Sequence, residues 1–387
     1  MEMASSHEMR DYAGQIWRRR GLFTVLLAVV LLAGCAGGPQ PDTSAGDDTV
    51  APDYRSLVGW REDNHTQAIP ALLHTCQWLK RQDAGREIGP GGAGGRAGDW
   101  RQACESAKSV PTNDARVARH YFETWFTPVP VSSDPGQEGL FTGYYQPELQ
   151  GSLTRSDRFR VPLYRMPQKR AGQQLPARAA VAKGALAGKG LELVWVDDPI
   201  DAFFLEIQGS GRIHLTDGST VGIQYAGQNG HAYFPVGKHL IDQGVASADR
   251  MSLNTIRKWM LDHPDRTQGL MNLNPSYIFF RLRPDLGARG ALAELTPGRS
   301  LAVDPRHVPL GVPLWLDLHD APVPGGTLRR LVVAQDTGGA IKGAVRGDLF
   351  WGHGPEAEVG AGNMKAHGHY TMLVPRAAVE RRVASLR

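Results

Sequence analysis

The feature that most constrains this chain is a change of hydrophobic period at Gly139. Before it, apolar residues recur at helical spacing. Ile69, Leu72, Leu73, Cys76 and Leu79 share one helix face, the Gly-rich run from Gly89 to Gly98 interrupts the pattern, and Trp100 to Ala107 resumes it. A further helix carries Val117, Tyr121, Phe122 and Trp125, with Asn113 or Asp114 as its cap and Pro128 as its stop. After Gly139 the runs become short and β-like: Leu140 to Tyr145, Leu191 to Val196, Ala202 to Gln208, Arg212 to Leu215 and Thr220 to Tyr225. Asp217-Gly218 joins the last two as a hairpin turn. Helical spacing returns at Leu240-Ile241 and at Leu253, Ile256, Trp259 and Met260. Beyond Asn274-Pro275, strands are expected at Ile278 to Arg281, Leu314 to Leu318 and Leu331 to Ala334. The fold class is therefore mainly β with some α, without an internal repeat.

At 387 residues and 41% hydrophobic content, the chain has ample material for one large or two ordinary domains. The net charge of +4 is modest and partly N-terminal, so nucleic acid is not implied as a partner. Arg18, Arg19 and Arg20 precede an apolar run from Leu22 to Ala33, which ends in Leu32-Ala33-Gly34-Cys35. A run of about a dozen residues is too short to span a bilayer, so residues 1–34 read as a signal peptide. The Leu-Ala-Gly-Cys motif resembles a bacterial lipobox, which implies cleavage before Cys35 and lipidation of its thiol. Ala36 follows in place of an inner-membrane retention aspartate, so the expectation is an outer-membrane lipoprotein facing the periplasm. Residues 35–53 then form a polar tether. Cys76 and Cys104 remain, either as one disulfide or as two separate thiols, and their spacing does not suit a metal.

Three polar segments lie at turns. The first is Phe141-Thr142-Gly143-Tyr144-Tyr145-Gln146-Pro147-Glu148; the second is Glu206-Ile207-Gln208-Gly209-Ser210-Gly211-Arg212, followed by Gln224, Tyr225 and Asn229. The third holds three aspartates. Asp304 precedes Pro305, Asp336 opens the Gly-rich turn to Gly343, and Asp348 leads into Leu349-Phe350-Trp351. Apolar neighbours disfavour a carboxylate's charged form, which suits Asp348 to general acid chemistry. Asp336 and Asp304 sit where side chains commonly cap backbone amides. His353, His367 and His369 do not show metal-ligand spacing, so neither a metal nor a cofactor is expected.

These segments together resemble the membrane-bound lytic transglycosylase A family of peptidoglycan-cleaving lipoproteins. The likeness rests on Phe141 to Tyr145, Leu205 to Gly211, Asn274-Pro275-Ser276-Tyr277 to Phe280, Leu301 to Asp304 with Pro309-Leu310-Gly311, and Ala334 to Gly343 with Asp348. The Gly-rich run from Gly89 to Gly98 reads as a loop insertion. The resemblance implies a double-psi β-barrel catalytic domain from residues 54–149 plus 275–375, with a β-rich substrate-binding domain, residues 150–274, inserted into it. Glycan strands of peptidoglycan would lie in the groove between them.

It further implies cleavage of the β-1,4 bond between N-acetylmuramic acid and N-acetylglucosamine, without hydrolysis, to leave a 1,6-anhydro sugar. Asp348 is then the catalytic residue, and Asp336 and Asp304 support it. Thr142, Tyr144, Gln208, Gln224 and Lys342 are the candidate substrate-binding residues, with Tyr145 and Trp351 as possible stacking surfaces. Cell-wall synthesis or division complexes are the expected partners beside the lipid-anchored membrane. A non-catalytic, expansin-like glycan-binding protein is the alternative, since such barrels share this architecture. A hydrolase would need a second carboxylate, for which Glu356, Glu358, Asp336 and Glu206 are the candidates.

Overall fold

A computed structural model describes residues 53–131, 136–168 and 173–385. The signal peptide, Cys35 and most of the tether lie outside the described residues. Among the described residues, no helix is long and apolar enough to cross a membrane.

The N-terminal helices follow the sequence pattern. Ile69–Leu79 and Arg101–Ala107 are joined by the Cys76–Cys104 disulfide, with Cα atoms 5.5 Å apart, which settles the open question of those thiols. The Gly-rich stretch between them is ordered. Ile88 and Gly95 close its neck through a 2.8 Å backbone hydrogen bond, and a Cβ on Gly89 would come within 2.5 Å of Pro309. The third helix, Ala115–Trp125, starts at Asp114, whose carboxylate accepts from the amides of Arg116 and Val117.

Thirteen strands form two sheets among the described residues. The chain enters the first with β1 (Phe126–Pro130) and β2 (Gly139–Gln146). It then builds the second from β3 (Glu148–Ser152), β4 (Val161–Tyr164), β5 (Glu192–Val196), β6 (Ser210–Leu215), β7 (Thr220–Gln228) and β8 (Ile278–Arg283). It returns to the first with β9 (Ser300–Val303), β10 (Pro313–His319), β11 (Leu328–Asp336), β12 (Arg346–His353) and β13 (Lys365–Pro375). The order β13-β10-β11-β9-β12-β2 closes through the β13–β2 pairing into a six-stranded barrel, and β1 adds to the outside edge of β13. Closure leaves those six strands without a free edge.

The second sheet, in the order β4-β5-β3-β6-β7-β8, is the inserted one. Its membership differs from the sequence boundaries: β3 straddles residues 149/150, and β8 belongs to this sheet, not to the barrel. Ala202–Gln208 is also not a strand. It is the body of a helix, Pro199–Gln208, because Asp198 caps the amide of Ile200, Pro199 occupies the first turn, and Gly209 ends the helix at φ 79°. An all-apolar run such as Ala202-Phe203-Phe204-Leu205 does not reveal its period, so these caps decide the conformation.

Each sheet has its own core. Phe141, Leu301, Val303, Leu314, Val332, Leu349, Ala366 and Leu373 fill the barrel, and the N-terminal helices add Leu72, Trp100 and Phe122 to the same cluster. Leu149, Val194, Leu205, Ile213 and Phe280 make the core of the second sheet. Since Phe141 and Leu349 face the barrel core, alternation turns Thr142 and Asp348 to its outer face.

Candidate active site

Strand register places the proposed acid. Asp348 on β12 lies opposite Ala302 on β9 and Thr142 on β2, Asp336 on β11 also pairs with Ala302, and Lys365 on β13 pairs with Thr142. Asp336, Ala302, Asp348, Thr142 and Lys365 thus form one row across five strands. With neighbouring strands about 4.8 Å apart, two strands separate Asp336 from Asp348 by roughly 10 Å between backbones. Between them in this row Ala302 carries only a methyl group, and the nearby Asp336 charge adds to the cost of ionising Asp348.

Burial pushes the Asp348 carboxyl up to about 6, against the lowering effects of the Thr142 hydroxyl and the Arg346 guanidinium. Thr142 Oγ1 donates to Asp348 Oδ1 at 2.6 Å and accepts from Arg346 Nη2 at 2.8 Å. Arg346 is held in turn by the carbonyls of Leu140 and Gly347. Among the described residues no side chain or amide donates to Asp348 Oδ2, and the residue is half-buried rather than sealed. Asp348 is thus oriented at one oxygen and open at the other.

Burial likewise pushes Asp336 up to about 6. Its oxygens are, however, occupied: Oδ1 accepts from the amides of Ala291 and Thr337 at 2.8 Å each, and Oδ2 accepts from the Tyr144 hydroxyl at 3.0 Å. Tyr144 also packs on Phe350, with ring centroids 5.3 Å apart. Asp304 differs again. Its side chain is fully buried, and its carboxylate accepts from Arg306 Nη2 at 2.6 Å and from the amide of Gly343 at 2.9 Å. The Arg306 guanidinium holds the Asp304 carboxyl well below the usual carboxylate range. Asp304 thereby ties the end of the 336–343 turn to the start of the loop after β9.

The other residues singled out in the sequence fall into different places. Gln208 lies at the end of the Pro199–Gln208 helix, where its Oε1 accepts from the amide of Tyr145 at 2.9 Å. Gln224 on β7 donates to the carbonyl of Arg289 and accepts from Arg281, both at 3.2 Å. Both glutamines are buried: Gln208 ties the inserted domain to β2 of the barrel, and Gln224 ties β7 to β8 and to the loop that follows it. Lys342 is exposed on the turn after Asp336. Tyr145 is buried, and the Trp351 ring lies against Gly143 and Gly360, where a Cβ would come within 2.6 Å and 2.3 Å of it. Both rings are therefore packing elements.

Glu206 is unavailable for chemistry, since Arg178 grips both its oxygens at 2.8 and 2.9 Å and the amide of Ile278 adds a third bond. Glu356 is exposed on the helix Pro355–Asn363, and Glu358 on the same helix faces Arg257 at 3.9 Å. Sequence reading missed Arg346 and Arg306. Each stands two residues from an aspartate, and for Arg346 the period of two along β12 was the available signal.

Comparison with known proteins agrees with this layout. Residues 140–281 match the model of the MltA specific insert domain, and residues 299–374 match the model of the 3D domain. The membrane-bound lytic murein transglycosylase A of Escherichia coli K12 is 40% identical over 353 residues, covering 89% of this chain and 93% of that protein. The crystal structure of a membrane-bound lytic murein transglycosylase from Agrobacterium tumefaciens superposes with a TM-score of 0.74 at 34% identity, covering 86% of this chain and 98% of that one. That of E. coli MltA with bound chitohexaose gives 0.65 at 30% identity, covering 84% and 93%. With a barrel interrupted by the insert and similarity along nearly the whole length of these relatives, the chain belongs to the membrane-bound lytic murein transglycosylase A family.

Proposed function

We propose that this protein is a lytic transglycosylase of peptidoglycan, cutting the β-1,4 bond between N-acetylmuramic acid and N-acetylglucosamine with Asp348 as its acid and base. The observation that carries the assignment is the contrast in partners: among the neighbouring carboxylates, Asp348 combines a pKa of about 6 with an oxygen left open. In its neutral form it donates a proton to the glycosidic oxygen as the bond to the anomeric carbon breaks. The C6 hydroxyl of the muramic acid then closes on that carbon, and its proton passes to the Asp348 carboxylate. The acid is regenerated, and the product is a 1,6-anhydro sugar.

A hydrolase would instead need a second carboxylate to activate water. Asp336 is engaged instead, since two amides and a phenol donate to its oxygens; we assign it, with Asp304, to shaping the turn beside the acid. An expansin-like binder has no use for a carboxyl kept neutral near pH 6. Thr142 and Tyr144 meet the two raised carboxylates and complete the reacting corner. Gln208, Gln224 and Lys342 remain candidate glycan contacts, the first two through amide groups at the junction of the sheets. The crystal structure of E. coli MltA with bound chitohexaose supports a glycan chain as the ligand of this fold.

We also assign the barrel, residues 54–149 plus 275–375, to catalysis and residues 150–274 to holding the strand. The membrane-bound name of the relatives supports membrane attachment, and the Leu32-Ala33-Gly34-Cys35 motif supports lipid anchoring of Cys35 at the periplasmic face of the outer membrane. Mass spectrometry of murein digests tests the reaction. Anhydromuropeptides from the wild type and none from Asp348→Asn are expected; reducing-end products from the wild type would overturn the transglycosylase reading, and undiminished release by the variant would overturn the acid.

A further inference from the structure

We propose that His319, Asp320 and His367 form a binding site for a borderline first-row transition cation, of which Zn²⁺ is the representative. The site lies at one end of the barrel. Register sets His319, the last residue of β10, directly opposite His367 on β13. Their rings stand 6.0 Å apart between centroids and face the same side. Asp320 follows β10 and, at φ 58°, is the one non-glycine residue in the left-handed region among those described; its carboxylate lies between the two imidazoles. Asp320 Oδ2 is 3.7 Å from His319 Nε2 and 3.7 Å from His367 Nδ1.

One donor atom from each of the three residues lies within 4.8 Å of the others. In a tetrahedral zinc site with bonds of about 2.0–2.1 Å, donors stand roughly 3.4 Å apart, so only small side-chain movements are needed. The two imidazoles select zinc, copper, nickel or cobalt over magnesium or calcium. Water would complete the coordination, and Glu138, whose Oε2 is 3.7 Å from His319 Nε2, adds negative charge beside it.

The pairing is built into the strands. A Cβ on Gly368 would come within 2.2 Å of the carbonyl oxygen of Asp317, so a side chain there would force β13 away from β10 and open the histidine pair. The exposed positions of His319 and Asp320 give an ion direct access from solvent. The sequence pattern concealed the site because the partner of His367 is not His369 or His353 but a residue 48 positions earlier, brought opposite by barrel closure.

Calorimetric titration of the full chain, stripped with chelator, with Zn²⁺ at pH 7.5 tests the site. Binding of one equivalent with a dissociation constant of about 1–10 μM is expected. His319→Ala and His367→Ala should each weaken it at least tenfold and remove the zinc-dependent rise in Tm, while His120→Ala, an exposed histidine on the Ala115–Trp125 helix, should leave both unchanged. Absence of stoichiometric binding, or a loss below tenfold in either site variant, would overturn the proposal.

Discussion

The barrel and the inserted sheet each bury carboxylates, and they treat them in opposite ways. In the inserted sheet, Glu206 meets a bidentate arginine, Arg178, whose guanidinium also donates to the carbonyls of Asn274 and Ser276 and stacks over Phe203. Both oxygens of Glu206 thus have donors. In the barrel, Asp348 and Asp336 are desolvated beside each other, and Arg346 reaches Asp348 only through the Thr142 hydroxyl. Burial raises the pKa of both Glu206 and Asp348, but at Glu206 the Arg178 guanidinium and the Ile278 amide oppose that rise and occupy both oxygens. Asp348, without a cation in direct contact, is pushed up to about 6 and is suited to act as an acid. Asp304, although it lies in the barrel, is likewise gripped by an arginine, Arg306.

Removing the proposed acid is the most severe way to test this contrast. Asp348→Asn is expected to lower kcat by about 10³–10⁴, the range of a lost general acid, as read by anhydromuropeptide release. The same change should stabilise the fold at pH 7 by about 1 kcal/mol, because it replaces a carboxylate whose ionised form the fold disfavours. A variant that is both inactive and less stable in thermal melts would break the comparison.

The converse change belongs to the inserted sheet. Glu206→Ala strands the Arg178 charge and should cost about 3–5 kcal/mol in denaturant unfolding. Replacing both partners, as in Glu206→Leu with Arg178→Met, should recover most of that loss. Failure to recover would show that the arginine's bonds to Asn274 and Ser276 carry the sheet rather than its pairing with Glu206. Loss of the disulfide through Cys76→Ser with Cys104→Ser, which opens a 28-residue separation, should cost about 3 kcal/mol in the same measurement.

The smallest effect sharpens the contrast most. The Thr142 hydrogen bond lowers the Asp348 pKa, so Thr142→Val should move the descending limb of the kcat/KM–pH profile upward from about pH 6, with activity reduced about tenfold below it. Stability has a defined sign as well. Both Asp348 and Asp336 have folded-state pKa values raised above their unfolded ones, so the native state binds more protons between about pH 4 and 6, and their contribution to stability is lost as pH rises through 6. A pH dependence of the opposite sign in Asp304→Asn relative to wild type at low pH would isolate the depressed carboxyl.

The sequence by itself determined the elements whose signals are local. A cap at Asn113 or Asp114, the Asp217-Gly218 hairpin and the alternating runs of β2, β6 and β7 need only neighbours along the chain, and they appear where the pattern puts them, with Asp114 as the cap. The family resemblance added the closed barrel and singled out Asp348. What only the tertiary structure decided involves partners far apart in the chain. It paired Cys76 with Cys104, turned the apolar run at Ala202 into a helix, moved β8 into the inserted sheet, and set His319 against His367. It also separated the three aspartates. Their pKa values depend on which donors and cations the barrel brings to each carboxyl, and Thr142, 206 residues away from Asp348, is joined to it by strand pairing alone.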